Sequence, residues 1–321
     1  MKRRKLVILG TGGTIAGKAA HASDNIGYTA AQVEINDLLA AIPALSGTGL
    51  FITEQVGQID SKDMSFAVWV RLAERVNHFL ADDDVQGIVI THGTDTLEET
   101  AYFLQSVCRP KKPVVLTCAM RPATALAPDG PQNVMDAVAV ACHPGGHGVV
   151  VVCAGTIHSA LDVQKVHPYK LDAFSSGDAG PVGHVEEGCL RLLRNWPFSQ
   201  SGRASLAIDK EAIWPRVEIV MNYAGASALI VQALVSQGVQ GLVVAATGNG
   251  TIHEDLLAGL LAAQAAGVRV VRSTRSLDGH VLPLPGNPIA DSRGLSPVKA
   301  RIALMLDLMA EDARSSAYGP A

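Results

Sequence analysis

A chain of 321 residues that is 48% hydrophobic and 17% charged can bury one large core or two moderate ones. Its formal net charge of -4, with no basic block after Lys2 to Lys5, excludes the electrostatic footprint of a nucleic-acid or anionic-membrane binder and favours a small polar partner. Five cysteines, Cys108, Cys118, Cys142, Cys153 and Cys189, form no CxxC pair, so they read as small core residues in a reducing compartment.

The first apolar run, Leu6-Val7-Ile8-Leu9, is too short for the core of an export leader and reads as a strand. The expected location is the cytoplasm, or the periplasm if a leader has been removed. The strand ends in "GTGGTIAG", residues 10 to 17. A dinucleotide fingerprint starting at Gly10 and Gly12 needs a small residue where Ile15 stands, and Gly17-Lys18 is followed by Ala19 instead of the Ser or Thr of a phosphate loop. Nucleotide binding is therefore disfavoured. Two readings remain: a tight strand-to-helix turn whose glycines serve the backbone alone, or a loop that lets substrate approach while Thr14 presents its hydroxyl for attack.

Helical apolar spacing then covers Val33 to Ile42 and Phe66 to Leu80, and "GIVITHGTD" reads as the next strand. In "ITHGTDTLEET", residues 90 to 100, Asp95 and Glu98 have the spacing of a capping box for a helix over Thr96 to Val107. The same stretch stacks Thr91, His92 and Thr94 before a helix N-terminus, where an amide carbonyl could be polarised. His92 alone reads as a structural hydrogen-bonder. Strand "PVVLTCAMR", a helix over Val134 to Cys142 and strand "GVVVVCAGT" follow. Lys165 in "SALDVQKVHP" is either a solvated lysine or, if buried beside a carboxylate, a group that can help move a proton from a threonine.

The alternation of strand and helix lapses between Leu193 and Pro215, giving domains over 1–192 and 216–321 joined by a linker over 193–215. Beyond it come "VEIVMNY", a helix over Ala228 to Val235, "GLVVAATGNG", a helix over Leu256 to Ala265, and "RVVRST". No charge interrupts Ile219 to His253, but glutamines and glycines break the stretch below membrane-span length, so it reads as a packed helix and a buried strand. The fold class is α/β: a larger N-terminal domain with a mainly parallel twisted sheet flanked by helices, and a smaller C-terminal α/β domain with its own parallel, four-stranded sheet. Thr14, Thr91 to Asp95, Arg121 and Asn249 all sit where strands end, as a site in an open α/β sheet requires. No metal-ligand spacing and no G-x-S-x-G elbow occurs.

Together "TGGTIAG" and "ITHGTDTLEET" resemble the two threonine signatures of the bacterial-type L-asparaginase family, which includes glutaminase-asparaginases. The likeness continues through "GYTAAQ", similar to the mobile-loop tyrosine segment, "DSKDM", "AMRPATALAPDGPQN", "LDVQKV", "NYAGAS", "GNGT" and "LSPVKARI". It implies amide hydrolysis through a threonine acyl-enzyme without cofactor, on L-asparagine, with L-glutamine or a related small amide as the alternative and a catalytically silent small-molecule binding protein as the reading behind these. Carried over, Thr14 is the nucleophile with Tyr28 beside it, and Thr94, Asp95 and Lys165 form the second catalytic group. Ser61 would bind the α-carboxylate, Asp95 the α-ammonium, and Thr94 and Ala119 further parts of the substrate. Asn249 would reach a neighbouring subunit's site in a homotetramer built from intimate dimers. Two departures stand out. Lys62 replaces a glutamine that helps hold the ammonium, and "SLDGHVLPLPGNPIADSRG" carries no match for the glutamate that the second subunit often lends.

Overall fold

The computed structural model describes residues 4–45, 50–197, 208 and 211–317. Two compact units divide the chain, Met1–Lys210 and Glu211–Ala321. Most of the expected linker over 193–215 lies outside the described residues.

The N-terminal unit is built on an eight-stranded sheet. Its parallel part contains β1 (Lys5–Gly12), β2 (Leu50–Ile59), β3 (Val85–Thr91), β4 (Pro113–Thr117) and β5 (Gly148–Cys153), in the spatial order 2-1-3-4-5. Strands β4 and β5 are buried along their whole length, as near-continuous valine runs must be when helices cover both faces of a parallel sheet. On one face Leu6, Ile8, Val89, Val115 and Val150 pack with α1 (Ile35–Ala40) and α4 (Gly130–Ala141). Val7 and Leu9 point to the opposite face, and α2 (Phe66–Leu80) and α3 (Leu97–Cys108) contact β3 and β5. There Trp69 stacks on Phe103 at 4.8 Å and donates its indole N–H to Thr100 Oγ1 at 2.9 Å, fixing α2 on α3.

The sheet continues beyond β5 in antiparallel fashion through β6 (Thr156–Ser159), which the sequence reading did not foresee, and a small ribbon of β7 (Gln164–Lys165) with β8 (Phe174–Ser175) follows. Then β9 (Gly183–Glu186) and β10 (Cys189–Leu192) complete the edge. Helix α4 begins four residues before the expected Val134, because Pro131 suits its first turn.

The C-terminal unit carries four parallel strands in sequence order, β11 (Val217–Met221), β12 (Gly241–Ala246), β13 (Arg269–Thr274) and β14 (Ala290–Asp291). Its helices are α5 (Leu229–Ser236), α6 (Glu254–Ala265) and α7 (Pro297–Ala317). A core of Val220, Leu242, Val244, Leu256, Leu260 and Val270 joins α5 and α6 to the sheet. The expectation of a packed helix before a buried strand is met only in its second half. Every residue of β12 is buried, whereas α5 buries Val231 alone and leaves Leu229 72% exposed. Among the described residues no helix is long and apolar enough to cross a membrane.

Candidate active site

Strands β2 and β3 lie on either side of β1, so the connections leaving the carboxyl ends of β1 and β3 diverge and open a crevice between them. The two threonine stretches end there: β1 runs into Gly13-Thr14 and β3 into His92-Gly93-Thr94. Their backbones touch. A Cβ added at Gly13, whose φ is +82°, would lie 2.3 Å from Gly93 Cα, and one at Gly93 would lie 2.4 Å from Ser61 Oγ. Glycine at both places is what allows two polar loops to meet at one point.

Thr14 is almost fully buried, and its Oγ1 is 2.7 Å from Tyr28 Oη. Tyr28 is delivered by a loop tied back through paired hydrogen bonds between Lys18 and Thr29, both 2.9 Å, and its tip is organised by Asp24, which accepts from Ile26 N–H and Gly27 N–H. Those two bonds, Gly27's foremost, hold the Asp24 carboxyl below the usual range. Burial pushes the Tyr28 phenol up from its ordinary value, the Thr14 contact opposes this, and the negative charges of Asp60 and Asp95 add to the rise. The phenol is therefore a neutral hydroxyl able to donate to or accept from Thr14.

Thr94 lies in the facing loop. Lys165 Nζ donates to Thr94 Oγ1 at 2.8 Å and to Asp95 Oδ1 at 2.6 Å, with the lysine side chain 18% exposed. The solvated reading of Lys165 therefore gives way to an ion pair that aims its ammonium at a threonine hydroxyl. The capping box does not form. Thr96 is the N-cap of α3, Asp95 is committed to Lys165, and Glu98 Oε1 accepts the Lys165 backbone N–H at 3.2 Å, holding the short β7 over the helix start. Ser61 Oγ accepts the Asp95 N–H at 3.1 Å, and Thr96 Oγ1 donates to Ser61 O at 2.8 Å. The Ser61 hydroxyl hydrogen remains to be donated elsewhere.

Lys62 does not reach toward this cluster. Its Nζ is 2.6 Å from Asp63 and 3.4 Å from Asp60, carboxylates that bracket it on its own turn, and the Asp63 bond holds its pKa above the ordinary value. Ala119 is buried in the apolar core against α4, so only its backbone can meet a substrate. Asn249 belongs to the C-terminal unit, at the turn after β12. There the buried Arg272 donates to its carbonyl at 3.4 Å and Leu282 N–H to its side-chain oxygen at 2.7 Å. The residues that sequence reasoning missed are Asp60 and Glu98. Asp60 was legible only as the neighbour of Ser61, and Glu98 was hidden by its resemblance to a cap.

A cleft of about 300 Å³ in the C-terminal unit is lined by Asn222, Tyr223, Thr247, Thr251 and His253. Its polar groups are spent on one another: Asn222 bonds Thr247 Oγ1 and His253 N–H, and Thr247 and Thr251 are cross-bonded. Among the described residues no group of three His, Cys, Asp or Glu could hold a metal ion.

Residues 5–198 match the family model described as asparaginase, N-terminal, and residues 216–316 match the glutaminase/asparaginase C-terminal domain. The chain is 38% identical over 313 residues to L-asparaginase 2 of Bacillus subtilis, covering 94% of this chain and 81% of that one. It is 38% identical over 315 residues to a glutaminase-asparaginase of Pseudomonas fluorescens, covering 96% and 87%. A crystal structure of a probable cytoplasmic L-asparaginase from Campylobacter jejuni aligns with a TM-score of 0.90 at 36% identity, covering 98% of this chain and 99% of the other. The match thus extends through both units and through the stretches that meet at the crevice, and the chain belongs to the asparaginase family.

Proposed function

We propose that this protein is an amidohydrolase that converts L-asparagine to L-aspartate and ammonia through a Thr14 acyl-enzyme. The observation that carries this reading is a pair of threonines on loops whose backbones touch at Gly13 and Gly93, each hydroxyl held by its own polar partner, Thr14 by Tyr28 at 2.7 Å and Thr94 by Lys165 at 2.8 Å. An amide is a poor electrophile with a poor leaving group, and a threonine hydroxyl is inert without a proton acceptor nearby. Thr14 Oγ1 attacks the carboxamide carbon while its proton passes into the adjoining hydroxyl network. The carbon–nitrogen bond then breaks, ammonia departs with a proton from the same network, and an ester remains on Thr14. Water guided by Thr94, Lys165 and Asp95 attacks the ester, freeing aspartate and restoring the threonine.

The Thr94 backbone N–H faces the oxyanion, and Ser61 donates its remaining hydrogen to the α-carboxylate. Asp95 takes the α-ammonium on the oxygen that Lys165 leaves unused, while Ala119 contributes through its backbone. Asn249 completes the site of a neighbouring subunit within a homotetramer of intimate dimers. Exposed apolar residues of the C-terminal unit support association: Ile219 and Met221 on the edge strand β11, Tyr223 in the turn after it, and Leu229 and Ile230 on α5. The cytoplasm is the proposed compartment, supported by the free state of all five cysteines and by the name of the Campylobacter jejuni neighbour.

The test is ammonia release by the purified protein with L-asparagine, L-glutamine and des-amino amides side by side. Preference for L-asparagine is expected. Equal turnover of an amide lacking the α-ammonium would overturn the Asp95 assignment, and a preference for L-glutamine would favour the second reading, that of the glutaminase-asparaginases.

A further inference from the structure

His92 stands between β3 and the Thr94 loop and is 0% exposed. Its main-chain N–H donates to Thr117 O at 2.9 Å, which fixes the residue against β4. Its ring Nδ1 is 2.7 Å from Gly93 O. A carbonyl only accepts, so Nδ1 carries the proton, and Nε2 is the bare nitrogen, buried with no hydrogen-bond partner. The ring is neutral because burial drives its pKa down to about 4, against the smaller upward pull of the Gly93 bond.

Gly93 O and the Thr94 N–H belong to the same peptide group. In a trans peptide the C=O and N–H point in opposite directions, so an oxygen anchored on the His92 ring turns the N–H away from it. Among the described residues, that N–H has no hydrogen-bond acceptor. Gly93 must be glycine to pass between Ser61 and Gly13, yet glycine is the residue whose flanking peptides reorient most easily. A restraint is needed where the side chain cannot supply one.

We infer that His92 is a positioning residue whose Nδ1–H pins the Gly93–Thr94 peptide so that the Thr94 N–H stays aimed at the developing oxyanion. This rests on the proposed amide hydrolysis and adds a residue to it. The pin acts in two ways: it blocks rotation of the peptide plane, and by bonding the carbonyl it polarises the N–H as a donor. Neither effect touches ground-state binding of the substrate's α-groups, which Ser61 and Asp95 hold.

The first experiment is ¹⁵N NMR of the histidine rings in the intact wild-type protein. A buried ring protonated at Nδ1 is expected, and protonation at Nε2 would overturn the inference, since Nδ1 could then donate nothing to Gly93 O. The second compares His92→Asn with His92→Gln, because an asparagine amide N–H reaches the place of Nδ1 and a glutamine amide the place of Nε2. His92→Gln should lower kcat about tenfold with KM and aspartate affinity unchanged, and His92→Asn should recover most of that loss. Equal losses in the two variants, or a rise in KM with kcat intact, would overturn the pin. If His92→Gln fails to fold, the tautomer and the kcat and KM of His92→Asn decide. Absence of L-asparagine turnover by the wild-type protein would overturn the proposed reaction instead, leaving the peptide anchor to the NMR result alone.

Discussion

Each polar side chain of the crevice has a partner that limits what it can do, and the partners differ between the two threonines. Thr14 meets a neutral phenol, whereas Thr94 meets an ammonium held by a carboxylate. Removing the first hydroxyl should end the chemistry and spare the fold, because the glycine-built turn does not depend on it. Thr14→Ala is expected to lose at least about 1,000-fold in kcat while its melting temperature shifts by only a few degrees. Near-normal turnover would remove Thr14 from the nucleophile's role. Lys62 is bound to Asp63 and Asp60, so it neither anchors an ammonium nor sits among the catalytic groups. Lys62→Gln should therefore lower KM for L-asparagine by about threefold or more, an effect on the order of 1 kcal/mol, and leave kcat for des-amino amides alone. An unchanged KM would show that position 62 does not face the substrate. His92 also carries a pH signature. Its folded pKa of about 4 lies below the unfolded value of 6.5, so its contribution to stability is full above pH 6.5 and is lost as pH falls toward 4, by about 3 kcal/mol. Denaturant midpoints of wild type and His92→Asn at pH 7 and pH 4.5 should converge at the lower pH; parallel profiles would contradict this.

At the level of strands and helices, the site depends on how closely the carboxyl ends of β1 and β3 approach. Gly93→Ala would set a methyl carbon 2.4 Å from Ser61 Oγ and 3.1 Å from Gly13 Cα. The loops would have to separate, at a cost of about 1–3 kcal/mol and about 100-fold in kcat. Activity within a fewfold of wild type would mean the loops adapt without harm. The helices and buried strands of this unit were legible because valine runs and 3.6-residue spacing are strong local signals. Strand β2 was not, since on that edge strand only Val56 of "LFITEQVGQI" is buried among the described residues. The antiparallel edge had a signal that went unread. Ala154-Gly155 joins β5 to β6 and Glu187-Gly188 joins β9 to β10, and all four residues have positive φ, as two-residue hairpin turns of type I′ require.

For the whole molecule, the proposed contribution of Asn249 to a neighbouring site makes activity a property of the assembly. Thr14→Ala and Asn249→Ala proteins, each impaired alone, should recover activity when unfolded and refolded together, because a mixed intimate dimer contains one site with both residues intact. Up to about half of the sites in such dimers would be restored. No recovery, with mixed oligomers verified by mass spectrometry, would place Asn249 in its own subunit's site or outside any. A screened, mildly negative protein of net charge -4 has no long-range field to gather a zwitterion. Substrate selection therefore rests on short-range contacts.

The α/β class, the apolar runs that become β1, β3, β4 and β5, and the two threonine stretches follow from local sequence, because apolar periodicity and glycine-threonine turns depend on neighbours a few residues away. What the tertiary structure decided is every pairing across long chain separations. Thr94 and Lys165 are far apart in sequence and 2.8 Å apart in space, and Ser61 meets Asp95 only where β2 and β3 flank β1. Asp95 with a carboxylate three residues on, Glu98, looks like a capping box until Lys165 arrives from β7, its ammonium claiming Asp95 and its backbone N–H claiming Glu98. Burial had the same character: whether Lys165 is solvated and whether His92 is charged are set by what packs around them, which sequence spacing does not record.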